Sequence, residues 1–243
     1  MIAVGLQAQR QGRYSEATSV FGEVVSLWQQ LGNATAVDLA RSNMANAAKA
    51  DGNFALARSL LEEVAAASQA RGDVRGVASA LNGLGDVAAA QGDYDGARRH
   101  HQQSLSRYRH IGDQWGIARV LSDLASTDLQ ARDFGAANRS LKQALEAFRV
   151  LGHQRGVARQ LEALSWCAGC QARDREAIVL ASAAAAIRLR IGTPAKQAEL
   201  DKVERTLDAA RGRIGADAYD AAWREGWTGP LDRILGVTTE RHP

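Results

Sequence analysis

Apolar positions recur along the chain at helical spacing, and the helices they mark recur in turn. Between Gly72 and Gly112, Leu81, Leu84 and Ala88 fall at i, i+3 and i+7, one stripe of a helix that Asp73 is placed to cap. Gln91-Gly92-Asp93 interrupts that helix, and Asp93 is placed to cap a second one carrying Tyr94, Ala97, His101 and Leu105. The second helix ends near His110, with Gly112 as the left-handed residue past its end. The following copy uses Asp113, Leu121, Leu124, Phe134, Ala137 and Leu145; the preceding one uses Asn33, Met44, Asn53, Phe54 and Ala57. Gly32, Gly72, Gly112, Gly152 and Gly192 lie 40 residues apart, and Ala17, Ala57, Ala97, Ala137 and Ala177 keep the same interval. A fixed period of this length means stacked helix-turn-helix units.

The register predicts a partial repeat over 1–32 and full repeats over 33–72, 73–112, 113–152 and 153–192. The first helix of the opening unit falls partly before Met1, so the chain is expected to start inside a repeat. In the last repeat Asp174 replaces the aromatic of Tyr14, Phe54, Tyr94 and Phe134, and Ala172 replaces the turn glycine. After Gly192 the period stops. Thr193-Pro194 reads as a cap followed by proline at the first helical position. Leu200, Val203, Leu207 and Ile214 then form one apolar stripe, and Tyr219, Trp223 and Trp227 share the face of a further helix. Residues 193–236 are expected to be a helical cap over the last open face, and 237–243 a flexible tail.

Leu81, Leu84-Gly85, Gly92, Tyr94 and Ala97 resemble the pattern of the tetratricopeptide repeat (TPR), with 40 residues per unit instead of the usual 34. That resemblance implies an all-α, right-handed superhelix that binds protein or peptide in a groove lined by the first helix of each unit. A second resemblance lies in LDAARGRIGADAYDAAWREGWTGPLDRIL. Ala210, Arg211, Ile214, Gly215, Ala218, Tyr219, Ala222, Trp223 and Gly226 are similar to a phrase closing the repeat region of bacterial STAND-class signal-transduction ATPases. It implies a sensor or scaffold part of a bacterial signal-transduction or transcriptional regulator. The chain has no G-x-x-x-x-G-K-[ST] phosphate loop of its own.

Composition narrows this further. Only three of 243 residues are proline, so long helices are left unbroken, and the apolar fraction is rich in alanine, which suits closely packed helices. Thirty basic against 27 acidic residues give a formal charge of +3, with no dense basic run to track a nucleic acid backbone. No apolar run approaches a membrane span and no signal-peptide core opens the chain, so a cytoplasmic protein is expected, without membrane or nucleic acid partner.

The residue types that carry chemistry form no catalytic set. Cys167 and Cys170 make a C-x-x-C, but toward the C-terminal end of a predicted helix, where the dipole does not favour a thiolate, so a structural role is expected. His100 and His101 are adjacent and point to different faces, and His101 falls in a packing position. Glu62-Glu63 reads as solvated helix surface. No catalytic residue, metal site or cofactor is expected.

The variable positions of the first helices are where partner specificity would sit. They are Asn46 and Lys49; Ser79, Asn82 and Asp86; Arg119, Ser122 and Ser126; and Arg159, Glu162 and Trp166. Asn46 and Asn82 are suited to hydrogen-bond a peptide backbone. Arg119 and Arg159 are equivalent, one repeat apart. They suit the carboxylates of an acidic segment, supplied by another protein or by an upstream domain of the same parent; Asp86 and Glu162 interrupt the basic strip. Ser42 and Ser122 stand where the family's chaperone-binding members need lysines, so that ligand is not expected. Two other readings are a small-molecule-binding or catalytic helical protein, which a deep pocket would favour, and a structural oligomerisation module.

Overall fold

Seven consecutive helices start on the same chemistry, 20 residues apart. The side chains of Asn33, Asn53, Asp73, Asp93, Asp113, Asp133 and His153 each accept a hydrogen bond from the backbone N–H three residues on, at 2.8–3.1 Å. Each bond satisfies one of the donors a helix start leaves open. The structure, a computed structural model, describes residues 1–236; the expected tail, 237–243, lies outside the described residues. The helices are α1 (Ile2–Arg10), α2 (Tyr14–Gln30), α3 (Ala34–Ala50), α4 (Phe54–Ala70), α5 (Val74–Ala90), α6 (Tyr94–His110), α7 (Gln114–Gln130), α8 (Phe134–Val150), α9 (Gln154–Cys170), α10 (Asp174–Ile191), α11 (Gln197–Ile214), α12 (Ala216–Thr228) and α13 (Leu231–Ile234). From α2 to α9 each has 17 residues. The fold class is all-α, and the described residues contain no strand.

The turns between helices repeat as strictly as the caps. A residue of positive φ closes each of the ten turns from Gly12 to Gly192, and eight of the ten are glycine. The backbone N–H of the residue after the turn then reaches back to the preceding helix, as Asp93 does to Ala88 at 3.0 Å and Asp113 to Tyr108 at 3.0 Å. Arg132 (φ 60°) and Ala172 (φ 54°) hold the same conformation with a Cβ, which costs about 1–2 kcal/mol at such a position.

The chain divides into two compact units, Met1–Thr127 and the residues from Asp128 onward. In the first, α1 to α6 pack in sequence order. Ala17, Ala57 and Ala97 are fully buried, which lets neighbouring helices approach closely, and Leu60, Leu61, Leu84 and Val87 fill the space between α4 and α5. In the second unit Ala137 and Ala177 take the corresponding buried positions, and Leu141, Leu145, Leu161 and Ile178 are buried as well.

Past Gly192 the residue pattern lapses but the helices continue. α11 begins three residues, and α12 two residues, after the 40-residue register would place them. Thr193 does not cap α11. Its N–H bonds the Arg188 carbonyl and its hydroxyl donates to the Ile191 carbonyl, so it completes α10. Thr193-Pro194 therefore precedes α11, which starts from Lys196 without a side-chain cap. Ile178 and Val179 of α10, Ala210 of α11 and Ala222 of α12 share one core with Leu207, Ile214 and Trp223. Tyr219, Trp223 and Trp227 stack in series at 6.1 and 6.3 Å between ring centroids, and the outermost, Trp227, remains exposed. Asp174, standing where other units have an aromatic, is buried and takes two hydrogen bonds from Arg213 of α11, at 2.6 and 2.8 Å. Those bonds hold its carboxyl below the usual range.

Candidate partner-binding face

The variable positions of the first helices are three columns spaced 40 residues apart, through Ser79, Asn82 and Asp86 on α5, and Arg119, Ser122 and Ser126 on α7. Within each helix they sit at i, i+3 and i+7, one stripe. In the first unit this stripe is crossed by bonds between successive repeats. The Lys49 ammonium of α3 pairs with Asp86 of α5 at 3.2 Å. The Asn82 amide of α5 donates to Asp123 of α7 at 2.7 Å. The Arg119 guanidinium of α7 donates to the Ser79 hydroxyl of α5 at 3.4 Å and to the Tyr108 hydroxyl of α6 at 3.0 Å.

Two glycines make these contacts possible. A Cβ on Gly116 would lie 2.2 Å from the Tyr108 ring, so only glycine lets that ring rest on α7 with its hydroxyl beside Arg119. A Cβ on Gly85 would lie 2.5 Å from the His101 ring. His101 is fully buried, and its Nδ1 meets the Asn82 Oδ1 at 3.0 Å. An amide oxygen only accepts, so Nδ1 carries the ring proton. Burial pushes the His101 pKa down to about 4, with Asp86 opposing and His100 and Lys49 assisting, so the imidazole is neutral near pH 7.

These contacts revise the reading of individual residues. Asn82 is 3% exposed and its amide is engaged on both sides, so it is a structural link and not a free group for a peptide backbone. Ser122 is also buried, its hydroxyl turned back onto the Ala118 carbonyl at 2.9 Å. Lys49 and Asp86 neutralise each other. Asn46, Ser79, Arg119 and Ser126 reach the surface. Arg119 has no carboxylate partner among the described residues; its two bonds go to neutral hydroxyls. Asp123 and Tyr108 are parts of this face that the stripe does not contain. Asp123 is one residue off it, and Tyr108 belongs to a second helix.

In the second unit Arg159 of α9 is exposed, Glu162 is buried and Trp166 is half-buried. Glu162 accepts from Nε and Nη2 of Arg188 of α10, both at 2.9 Å, and each side chain is only 11% exposed. Trp166 lies under the Lys202 ammonium of α11, 5.1 Å from the ring centroid. Glu162 and Trp166 are thus engaged by residues of α10 and α11. Arg188 is the readable sign of this, since the positions one and two repeats before it are Phe148 and Tyr108. Beside this pair a pocket of about 500 Å³ opens between α9, α10 and α11.

Cys167 is buried with its thiol toward the Phe134 carbonyl, and Cys170 is exposed. Burial raises both thiol pKa values, the opposite of what a redox pair needs. Among the described residues no group of three or more His, Cys, Asp or Glu side chains could hold a metal ion, and no helix is long and apolar enough to cross a membrane.

Residues 76–149 match the tetratricopeptide repeat family. No curated protein matches the chain. The fold is similar to that of BtubC (BKLC) from P. vanneervenii, with a TM-score of 0.73 and 20% identity over 95% of this chain and 94% of that one. It is also similar to a candidate kinesin light chain of Podosopora anserina with nearly identical TPR-like repeats. One structure of that protein, of a variant form, gives a TM-score of 0.61 and 16% identity over 79% of this chain and 94% of that one. A second structure of it gives 0.55 and 14% over 88% and 95%. Repeats of this class generally mediate contacts between proteins. Over residues 76–149 the chain is similar to tetratricopeptide repeats, and it has the helix-pair fold of TPR-like structures.

Proposed function

We propose that the chain is a non-enzymatic protein- or peptide-binding repeat module. The face of α3, α5 and α7 takes an extended acidic segment, with Arg119 as its anchor. The observation that carries this reading is the state of Arg119. Its guanidinium is oriented by Tyr108 and Ser79, yet no carboxylate among the described residues neutralises it. A positive fork held in place and not internally paired suits a partner's carboxylate. The ties between Lys49 and Asp86 and between Asn82 and Asp123 keep the helices in register, so a ligand need not order the face when it binds. The resemblance of the segment around Trp223 to the closing part of STAND-class proteins supports a place in a bacterial signal-transduction regulator. There the module would act as sensor or scaffold in the cytoplasm, with binding energy shifting an equilibrium between arrangements.

The test is an array of short peptides, acidic, neutral and basic, probed with the full chain and with Arg119→Ala. Acidic peptides are expected to be retained. The substitution should weaken them by roughly ten- to a hundredfold, the worth of one charged hydrogen-bonded contact, without lowering the melting temperature by more than a few degrees. Equal retention of acidic and basic peptides, or an unchanged affinity in the variant, refutes the reading.

A further inference from the structure

The pocket of the second unit is formed where α11 lies across α9 and α10. Its volume, about 500 Å³, is that of a small-molecule site. Leu200 and Val203 of α11 and the Trp223 ring of α12 supply an apolar wall. The charged groups in the lining are Glu162, Arg188 and Glu204. Glu162 and Arg188 cancel through their paired 2.9 Å bonds. Glu204 is exposed and has no ion pair or hydrogen bond among the described residues. Glu199 adds a further negative field near Arg188. Lys202, two residues before Glu204 on the same helix, is held over Trp166 and is not part of the lining. The lining is therefore apolar with one uncompensated negative charge.

We infer that this pocket binds a small organic ammonium ion with an apolar body. The apolar part fills the space along Leu200, Val203 and Trp223, and the cationic head lies toward Glu204. The aromatic ring also favours a cation over an anion. An anionic ligand of the same shape would face Glu204 and the Glu162 carboxylate, and only Arg188, already paired, would oppose that repulsion. A neutral ligand would gain burial alone. The site shares no residue with the Arg119 face, so its failure would leave the peptide-binding proposal standing, and the reverse.

Calorimetric titration of the full chain with n-octyltrimethylammonium, octanoate and 1-octanol, each below its micelle concentration, distinguishes these ligands. The expected result is saturable one-to-one binding of the cation, with octanoate at least tenfold weaker. Glu204→Gln, an exposed position that does not endanger folding, should weaken the cation by roughly two- to fivefold and leave 1-octanol unchanged. Ala185→Phe, which places a ring in the pocket, should abolish binding of the cation. Absence of saturable cation binding, octanoate binding as tightly as the cation, an unchanged cation affinity in Glu204→Gln, or full binding by folded Ala185→Phe would each overturn the inference.

Discussion

His101 should make the first unit lose stability in mildly acidic solution. The ring is fully buried between α5 and α6, fitted over Gly85, with Nδ1 bonded to Asn82. In the folded chain its pKa is about 4, against an ordinary value of 6.5. The unfolded chain therefore takes a proton near pH 6.5, while the folded chain takes it only near 4. Stability is fully present above pH 6.5 and falls as pH drops toward 4, at about 1.4 kcal/mol for each pH unit, about 3 kcal/mol in all. His100 and His153 also have lowered pKa values and titrate in the same direction, so the His101 contribution must be isolated by difference. Urea unfolding of the native chain and of His101→Gln between pH 7 and 4 provides it. The stability advantage of the native chain should shrink by about 3 kcal/mol across that interval. Proton NMR of the His101 ring gives a direct check. Titration at or above pH 6 would refute the placement of a neutral, bonded imidazole in this core.

Two further outcomes follow from backbone and packing. Ala172→Gly and Arg132→Gly should each raise stability by about 0.5–1 kcal/mol, because glycine relieves the left-handed strain at a modest entropic cost; Gly112→Val should lower it by at least about 1 kcal/mol. Thermal melts of the three variants check both signs. Removing residues 193–243 should uncover Ile178 and Val179 of α10 and leave Asp174 without Arg213, so the shortened chain should aggregate in light scattering. A soluble monomer with an unchanged melt would show that α11 to α13 are an independent appendage.

The helix positions were legible because each is written by residues acting on their own neighbours. Asp93 caps α6 through a bond three residues away, and Gly92 turns the chain through its own φ, so both signals survive in the sequence alone. His153 performs the cap of α9 with an imidazole nitrogen, a role its residue type does not announce. Thr193 misleads for a related reason. Before proline it looks like a helix start, but the carbonyls it satisfies belong to the helix behind it. The start of α11 carries no side-chain cap, and no local signal marks it.

The candidate face was legible only as a set of columns, because what each column does depends on residues one repeat away. Ser79 and Arg119 occupy the same column and bond each other. Lys49 looks like a free cation until Asp86, on the next first helix, is brought beside it. Asn82 looks like a peptide ligand until His101 and Asp123 close on its two ends. A repeat that stacks on copies of itself commits much of its variable surface to the joints between copies, and each joint needs two unlike residues. A charge that is held in place or lines a pocket, and still has no opposite partner among the described residues, is therefore the stronger sign of an outside ligand. By that criterion Arg119 in the first unit and Glu204 in the second are the positions at which binding should be tested first.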